Sequence, residues 1–161
     1  MFLTQEEKLN LLKLENLQKD KMVGIETKYK KVYASGKRKS AVARAFLRTG
    51  TRKITFNGKD YETLHMFDKL KLDEPLRIAK NILGKIEFDI QITVKGGGEK
   101  GQVDAGRLAM AKGIVDFTQS EELKKAFLDY DRNLLVADVR RKETCKPGDS
   151  KARSKRQTSY R

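Results

Sequence analysis

Leucines at helical spacing occur near the start of the chain. Thr4 and Glu7 have the spacing of a capping box, and the leucine-rich stretch behind them ends at Gly24, so residues 4–22 are predicted to form a helix. Because its leucines spread around the helical wheel instead of forming one stripe, we expect an extension that docks loosely or contacts another protein. A dedicated binding element is the alternative.

Shorter apolar runs after this helix predict strands. Residues 32–35 and 41–47 are expected to form two strands, joined by a loop over residues 36–40. A third strand over residues 53–56 leads into the pair Asn57-Gly58, which is typical of a two-residue hairpin turn.

The second half of the chain alternates between helical and strand patterns. A helix is expected to begin at Asp73, with Pro75 just inside it, and to end at Gly84. Residues 88–95 alternate between apolar and polar side chains, which predicts a strand with one buried face. A glycine run and two further helices follow, the last over residues 121–130.

After residue 139 the pattern no longer supports a core. Tyr160 is the only sizeable apolar side chain there, and Pro147, Gly148 and several serines interrupt any regular structure. We therefore divide the chain into a helical extension (1–27), a globular domain (28–138) and an extended basic C-terminal tail (139–161).

Charge is sorted along the chain rather than mixed. Residues 28–53 carry ten Lys and Arg and no acid, and residues 139–161 carry nine Lys and Arg against two acids. The remaining residues, 1–27 and 54–138, are together net negative, so the two basic segments account for the whole formal net charge of +14. Such a concentration of one sign is the footprint of a polyphosphate partner and predicts nucleic-acid binding.

Composition disfavours several other classes of function. The single cysteine, Cys145, and the single histidine, His65, leave no set of zinc ligands, so we expect neither a metal nor a cofactor. No apolar run approaches a membrane span, and early acids argue against a targeting signal. We expect a soluble protein inside the cell.

Gly96, Gly97 and Gly98 begin a G-x-G-x-x-G pattern after a predicted strand and before a predicted helix. The ribose-binding acid of a dinucleotide site is missing from its expected place, and no Walker loop is present. Glycine amides at a helix N-terminus can approach any phosphate closely. Contact with an RNA backbone is the interpretation we favour, while a structural turn and a nucleotide cofactor stay open as alternatives.

Cations cluster around the first two strands. Lys37, Arg38 and Lys39 fall in the predicted loop, and Arg44 and Arg48 lie on one side of the next strand because they are four residues apart. An ordinary exposed strand would carry pairing carboxylates, and none occurs here. We therefore expect phosphate contact rather than a merely solvated basic face.

Residues 151–161 mix cations with small polar residues and one tyrosine. Such a segment can bind phosphates and stack on bases, although a nonspecific solubilising tail is the alternative. Extended at ~3.3 Å per residue, residues 145–161 could reach roughly 55 Å from the domain.

Four motifs in a characteristic order support a family resemblance. They are residues 35–45 (SGKRKSAVARA), Gly96-Gly97-Gly98 with Gly101-Gln102, Ala105 and Lys112-Gly113, Tyr130-Asp131-Arg132 with Ala137-Asp138 and Arg140-Arg141, and residues 155–161 (KRQTSYR). Over roughly residues 31–161 the chain resembles the universal small-subunit ribosomal protein S-nine family, in its archaeal and eukaryotic branch.

The resemblance implies a small α+β domain with a mixed β-sheet, helices on one face and a left-handed β-α-β crossover. Crossovers in general are right-handed, so the handedness follows only from the resemblance. The family also implies a protein without enzymatic activity that packs on rRNA in the head of the small subunit, beside neighbouring head proteins. Its tail reaches the peptidyl site, where the terminal arginine, here Arg161, touches the anticodon-stem backbone of tRNA.

We therefore expect a structural constituent of the small ribosomal subunit in the cytoplasm. The residues expected to bind rRNA are Lys37, Arg38, Lys39, Arg44, Arg48, Lys95, Gly96, Gly97, Gly98, Arg132, Arg140, Arg141, Lys151, Arg153, Lys155 and Arg156. Tyr160 and Arg161 are expected to contact peptidyl-site tRNA. The alternatives are a nucleotide-binding enzyme built on the glycine loop and a free-standing RNA chaperone or DNA-binding protein.

Overall fold

The structure is a computed structural model that describes residues 30–145 and 152–153. The helix predicted over residues 4–22 and most of the predicted tail lie outside the described residues.

The described residues form five strands, three α-helices and two short 3-10 turns. In chain order they are β1 (Lys31–Arg38), β2 (Ala41–Thr49), β3 (Ile54–Phe56), β4 (Lys59–Asp60), a 3-10 turn (Tyr61–Thr63), α1 (Met66–Leu83), β5 (Phe88–Lys95), α2 (Glu99–Thr118), α3 (Glu121–Tyr130) and a second 3-10 turn (Arg132–Leu134).

The strands form one mixed sheet in the order β1-β2-β5-β3-β4. β2 pairs antiparallel with both β1 and β5, whereas β3 runs parallel to β5 and forms a hairpin with β4. Parallel neighbours need a crossover connection, and α1 lies in the connection between β3 and β5. The α+β class with a mixed sheet is thereby confirmed, while the left-handedness of the crossover stays a prediction.

Helices cover one face of the sheet. Leu47 of β2 and Ile90 and Ile92 of β5 are almost fully buried, and the same side of these strands buries Ala41, Ala43, Ala45, Phe88 and Val94. They share a core with the Ala- and Gly-rich inner side of α2. This packing is close, because a Cβ on Gly36 of β1 would collide with the α2 backbone at Ala105. The alternation predicted for residues 88–95 is confirmed.

The helix predicted from Asp73 to Gly84 ends as expected, but its predicted start is wrong. α1 begins at Met66 with His65 as its N-cap, and Gly84 is the C-cap. Asp73 followed by Pro75 imitates a helix start, yet Pro75 is buried inside the helix. Leu72, Leu76 and Ala79 bury the same side of α1 in the core, and that burial offsets the amide hydrogen bond that Pro75 cannot make.

The loop predicted over residues 36–40 is shorter than expected. β1 continues to Arg38, which pairs with Ala41 across the hairpin, so only Lys39 and Ser40 connect the strands. Lys39 takes up the reversal with a φ of 53°. The strand continues through Gly36 because glycine alone fits beneath α2 there, a packing reason that the sequence pattern does not reveal.

The Asn57-Gly58 turn is confirmed. The φ angles of the two residues are 50° and 80°, the positive values that a two-residue type I′ turn requires. The side-chain oxygen Oδ1 of Asn57 also accepts a hydrogen bond of 2.7 Å from the backbone N–H of Val94. The turn is therefore fixed to β5.

Candidate nucleic-acid interface

The sheet face turned away from the helices brings together most of the strand cations. We call this surface the open face and define it by twelve side chains in register: Lys31, Tyr33, Ser35 and Lys37 of β1, Val42, Arg44, Phe46 and Arg48 of β2, and Asp89, Gln91, Thr93 and Lys95 of β5. Five of the twelve are Lys or Arg and one is acidic. The open face is therefore strongly basic.

The predicted placement of Arg44 and Arg48 on one side of a strand is confirmed. Both are exposed residues of the open face, where Arg44 lies opposite Ser35 and Thr93. Lys37 of β1 and Lys95 of β5 lie at one end of the same face, where each is the cross-strand partner of Val42 of β2. The fold thus brings Lys37 and Lys95, which are 58 residues apart in sequence, onto one face.

Asp89 is the one acidic residue of the open face, and its carboxylate accepts hydrogen bonds from within the fold. Its Oδ1 accepts a 2.9 Å hydrogen bond from the backbone N–H of Lys53, and its Oδ2 lies 3.3 Å from Nε of Arg48. The Lys53 hydrogen bond lowers the pKa of Asp89 below its ordinary value, Arg48 adds to this effect, and burial opposes it. Asp89 is therefore ionised at neutral pH and offsets part of the Arg48 charge.

The glycine loop lies against the β1–β2 turn. Gly96 and Gly97 have φ angles of 75° and 70°, and a Cβ at either would come within 2.8 Å of the turn, at the carbonyl oxygen of Ser40 or at Cβ of Ala41. Gly98 differs, because its φ is −97° and a Cβ there would point into open space. The first two glycines are thus required by the fold, whereas Gly98 is not.

A shallow depression joins this loop to the basic turn. Lys39, Ser40, Gly97 and Gly98 line it together with Arg38, the first turn of α2 and Asp104. The N-terminus of α2 carries partial positive charge, which favours an anion there. Glu99 lies in the same first turn and opposes that field. The glycine loop and the basic β1–β2 turn therefore form one surface, whose positive charge is partly compensated by Glu99 and Asp104.

Arg38 points away from the open face and is engaged with acids. Its guanidinium forms an ion pair with Asp138 and lies 3.8 Å from Asp104 of α2. Lys71 of α1 binds the same Asp104 at 2.9 Å. Of the three cations in the predicted loop, Arg38 thus contributes to the fold, while Lys37 and Lys39 are exposed.

The predicted contact residues near the tail are exposed. Arg132 is exposed in the second 3-10 turn, and Arg140 forms an ion pair of 2.7 Å with Asp138. Arg141 donates to the backbone oxygens of Asp138 and Arg140, and Arg153 donates to Glu143 at 2.8 Å. Lys151, Lys155, Arg156, Tyr160 and Arg161 lie outside the described residues.

Sequence reasoning missed four cationic or aromatic residues of this surface. Lys31 and the aromatic pair Tyr33 and Phe46 belong to the open face, and Lys53 lines its edge. A signal was available, because Phe46 lies midway between Arg44 and Arg48 and therefore points to the same side of β2. Aromatic side chains interleaved with cations on one strand face are typical of nucleic-acid binding.

Membrane-spanning helices and metal-binding clusters are two other features that the described residues could contain. Within residues 30–145 and 152–153, every helix is too short or too polar to cross a membrane. In the same ranges the His, Cys, Asp and Glu side chains form no cluster suited to a metal ion. His65 lies at the N-cap of α1, where its backbone oxygen accepts from Asp68, and Cys145 is an exposed free thiol.

Comparison with known proteins identifies the family. The family described as ribosomal protein S9/S16 matches residues 36–161. The chain belongs to this family of ribosomal proteins. Its membership makes it an RNA-associated component of the translation machinery, and it confirms the resemblance that the four motifs carry.

Several archaeal proteins named small ribosomal subunit protein uS9 are similar to this chain. The protein of Methanococcus vannielii is 47% identical over 135 residues, which are 82% of this chain and 99% of the relative. That of Thermoplasma volcanium is 48% identical over 132 residues, 81% of this chain and 98% of the relative. That of Pyrobaculum aerophilum is 44% identical over 131 residues, which are 81% of this chain and 91% of the relative.

Proposed function

We propose that this chain is a structural constituent of the small ribosomal subunit in the cytoplasm, and that it binds rRNA through the open face and the glycine loop. The observation that carries the proposal is the composition of the open face, with five cations against one acid that is itself hydrogen-bonded. A sheet face with this charge, left uncovered by the helices of the described residues, matches an RNA backbone. The names of the archaeal relatives support the subunit.

Within this proposal the cations have separate roles. Lys37, Arg44, Arg48 and Lys95 hold phosphates over the open face, and Lys39 with the amides around Gly98 holds another at the start of α2. Arg38 acts through the fold, because its charge is compensated by Asp104 and Asp138. Contacts by Arg132, Arg140 and Arg141 would guide the RNA toward the tail.

We further propose that the tail follows RNA to the peptidyl site. In this role Lys151, Arg153, Lys155 and Arg156 contact rRNA phosphates, and Tyr160 and Arg161 contact tRNA. Support comes from the family match, which extends through Arg161, and from the family resemblance of the terminal motif.

The fold gives no support to a nucleotide-binding enzyme. A dinucleotide fingerprint needs a parallel strand after the glycine-headed helix, with an acid at its end. In the part of the chain that the structure describes, α2 is followed by α3 and a 3-10 turn instead. The glycine loop has a structural reason of its own, because Gly96 and Gly97 pack on the β1–β2 turn.

The salt dependence of RNA binding tests the proposed mechanism. If six to eight cations meet phosphates, log K for structured rRNA should fall with log salt at a slope between roughly −4 and −7. Replacing Lys37, Arg44 and Lys95 by Gln should reduce the magnitude of the slope by about 2 to 3. The control replaces three exposed helical lysines, Lys80, Lys124 and Lys125, by Gln and changes the net charge equally.

Two results would contradict the proposal. One is a slope near zero for the wild-type protein, and the other is an equal loss for the open-face and helical variants. Co-sedimentation separates a ribosomal constituent from a free-standing RNA chaperone or DNA-binding protein. A constituent should be stoichiometric in small subunits after a moderate salt wash, whereas a chaperone should be washed off.

A further inference from the structure

Two aromatic rings form a pair at the centre of the open face. Tyr33 of β1 and Phe46 of β2 are direct cross-strand partners, with ring centroids 4.8 Å apart and ring planes 32° apart. Tyr33 is 76% exposed, although the core lies on the opposite face of the sheet. The pair strengthens the β1–β2 pairing, but that role does not need a ring surface open to solvent.

Polar groups extend the aromatic pair across the sheet in one row. The register places Phe46 beside Gln91 of β5, and Gln91 beside Thr55 of β3. A depression next to Phe46 is lined by Gln91 and Thr55, with Arg48, Lys53 and Asp89 around it. The row therefore offers two ring faces followed by an amide and a hydroxyl, which can both donate and accept hydrogen bonds.

Cations lie on both sides of this row. Lys31 and Arg48 occupy the neighbouring register positions on one side, and Arg44, Lys37 and Lys95 lie on the other. A surface for another protein would normally be depleted in lysine and would balance its charges. Aromatic rings flanked by cations instead match a strand of nucleic acid, whose bases stack while its phosphates run alongside.

We propose that the open face binds an unpaired segment of RNA, with a base stacked on Tyr33 and Phe46 and its edge directed toward Gln91 and Thr55. The inference rests on the proposed rRNA binding and adds the kind of RNA element recognised. A duplex is a poor occupant, because its bases are stacked on one another and their faces are closed to side chains. An unpaired nucleotide exposes its face at no such cost.

The test uses the full chain and a fluorescent probe at the stacking position. The chain contains no tryptophan, so Tyr33→Trp introduces a single indole reporter and keeps an aromatic surface. Oligouridine, which has little structure of its own, should quench the indole emission. An abasic oligonucleotide of the same length and charge should bind by its phosphates without quenching it.

Affinity measurements separate stacking from charge. Stacking on an aromatic side chain is worth about 5-fold to 150-fold in affinity per base, so the double variant Tyr33→Leu with Phe46→Leu should bind oligouridine at least about 5-fold more weakly. Its affinity for the abasic strand should change by less than about 2-fold. Tyr130→Leu is the matched control, because Tyr130 is 58% exposed at the end of α3 and lies outside the open face.

Three results would overturn the inference. The first is that the double variant binds oligouridine as tightly as the wild type does, while the triple Gln variant of the open face loses binding. RNA would then bind the open face through its charge, and the stacking role would be removed. The second is an indole shielded from a soluble quencher in the RNA-free chain, which would mean that the protein covers this surface itself. The third is a crosslink from a photoreactive group at residue 33 to protein rather than rRNA in assembled subunits. Failure of the wild-type chain to bind either strand would instead contradict the proposed function.

Discussion

The guanidinium of Arg38 forms an ion pair with the carboxylate of Asp138, 100 residues further along the chain. Arg38 ends β1 beside the basic turn, and Asp138 directly precedes the predicted tail. Asp138 also accepts hydrogen bonds from the backbone N–H of Arg140 at 2.8 Å and from its guanidinium. This one carboxylate therefore ties the end of β1 to the residues at which the predicted tail begins.

Asp138→Asn should destabilise the domain. The substitution preserves shape but removes the charge that compensates Arg38 and Arg140, and a hydrogen bond to a charged group is worth about 1.5–3 kcal/mol. We expect a loss of this size in the free energy of unfolding from urea titration. Glu143→Gln is the control: it removes the same charge from the exposed pair with Arg153, where about 0–1 kcal/mol is expected. If the two substitutions lowered the free energy of unfolding equally, the ion pair between Arg38 and Asp138 would not stabilise the point at which the predicted tail begins.

Gly36→Ala should be more damaging than its small change in volume suggests. A Cβ at residue 36 would collide with the backbone oxygen of Ala105 and lie 2.7 Å from the backbone nitrogen of Ala109, so α2 would have to move away from β1. Overpacking of this kind costs about 1–3 kcal/mol and occasionally more. The matched control is Gly98→Ala, whose Cβ would meet no neighbour. A melting temperature for Gly36→Ala equal to that of the control would refute the close packing.

Gly98→Val tests the glycine loop as a phosphate site without disturbing the fold. Gly98 has an extended conformation that a β-branched residue adopts readily, so the main cost is the weaker N-cap preference of valine, about 1 kcal/mol in the free energy of unfolding. A side chain at this point would block a phosphate from the α2 amides, and rRNA affinity should fall about tenfold. Gly97→Val cannot serve this purpose, because its φ of 70° and the nearby Ala41 would make the variant report on folding. Unchanged affinity of a stable Gly98→Val protein would reduce the loop to a structural turn.

Asp89→Asn should change the pH dependence of stability. The pKa of Asp89 is lowered in the folded state, first by the Lys53 backbone hydrogen bond and then by Arg48. The stabilisation is therefore fully present above the unfolded-state pKa of about 4 and is lost as the pH falls through the lower folded-state pKa. Melting temperatures at pH 7 should be lower for Asp89→Asn than for the wild type, and the difference should shrink below about pH 4. A difference independent of pH would show that the carboxylate charge is not the cause.

Sequence patterns predicted those parts of the fold that local rules determine. The alternation over residues 88–95, the Asn57-Gly58 turn and the helix over residues 121–130 depend on side-chain periodicity and local backbone chemistry. The start of α1 could not be predicted in this way, because a buried face outweighs the helix-start signal at Asp73 and Pro75. Local signals fail where packing across the molecule decides the outcome.

In the candidate site, too, local patterns predicted some features, whereas contacts between distant parts of the chain determined the others. Charge sorting located the basic segments, and strand spacing placed Arg44 and Arg48 together on one side of β2. The sequence could not show that Arg38 turns to Asp104 and Asp138 while Lys37 faces the other way, because both partners are distant in the chain. It also could not show that Tyr33 lies beside Phe46, since that contact depends on the register of the hairpin.

Deleting residues 158–161 should leave folding and assembly intact but weaken tRNA binding in the peptidyl site. All strands and helices of the described residues end by Leu134, so the melting temperature should not change. The family resemblance implies that Arg161 contacts the tRNA backbone, and one charge-assisted hydrogen bond is worth about 1.5–3 kcal/mol, or roughly 10- to 150-fold in affinity.

Only four residues are removed and the other proposed RNA contacts of the chain remain, so we expect the lower end of this range. Arg161→Ala should reproduce much of the deletion effect, whereas Arg161→Lys should retain part of the affinity, because a point charge keeps the Coulomb attraction and loses the paired hydrogen bonds. The measurement is the rate of tRNA dissociation from programmed small subunits that carry each variant. If the truncated protein assembles normally and the dissociation rate equals that of the wild type, the tail does not contact the bound tRNA.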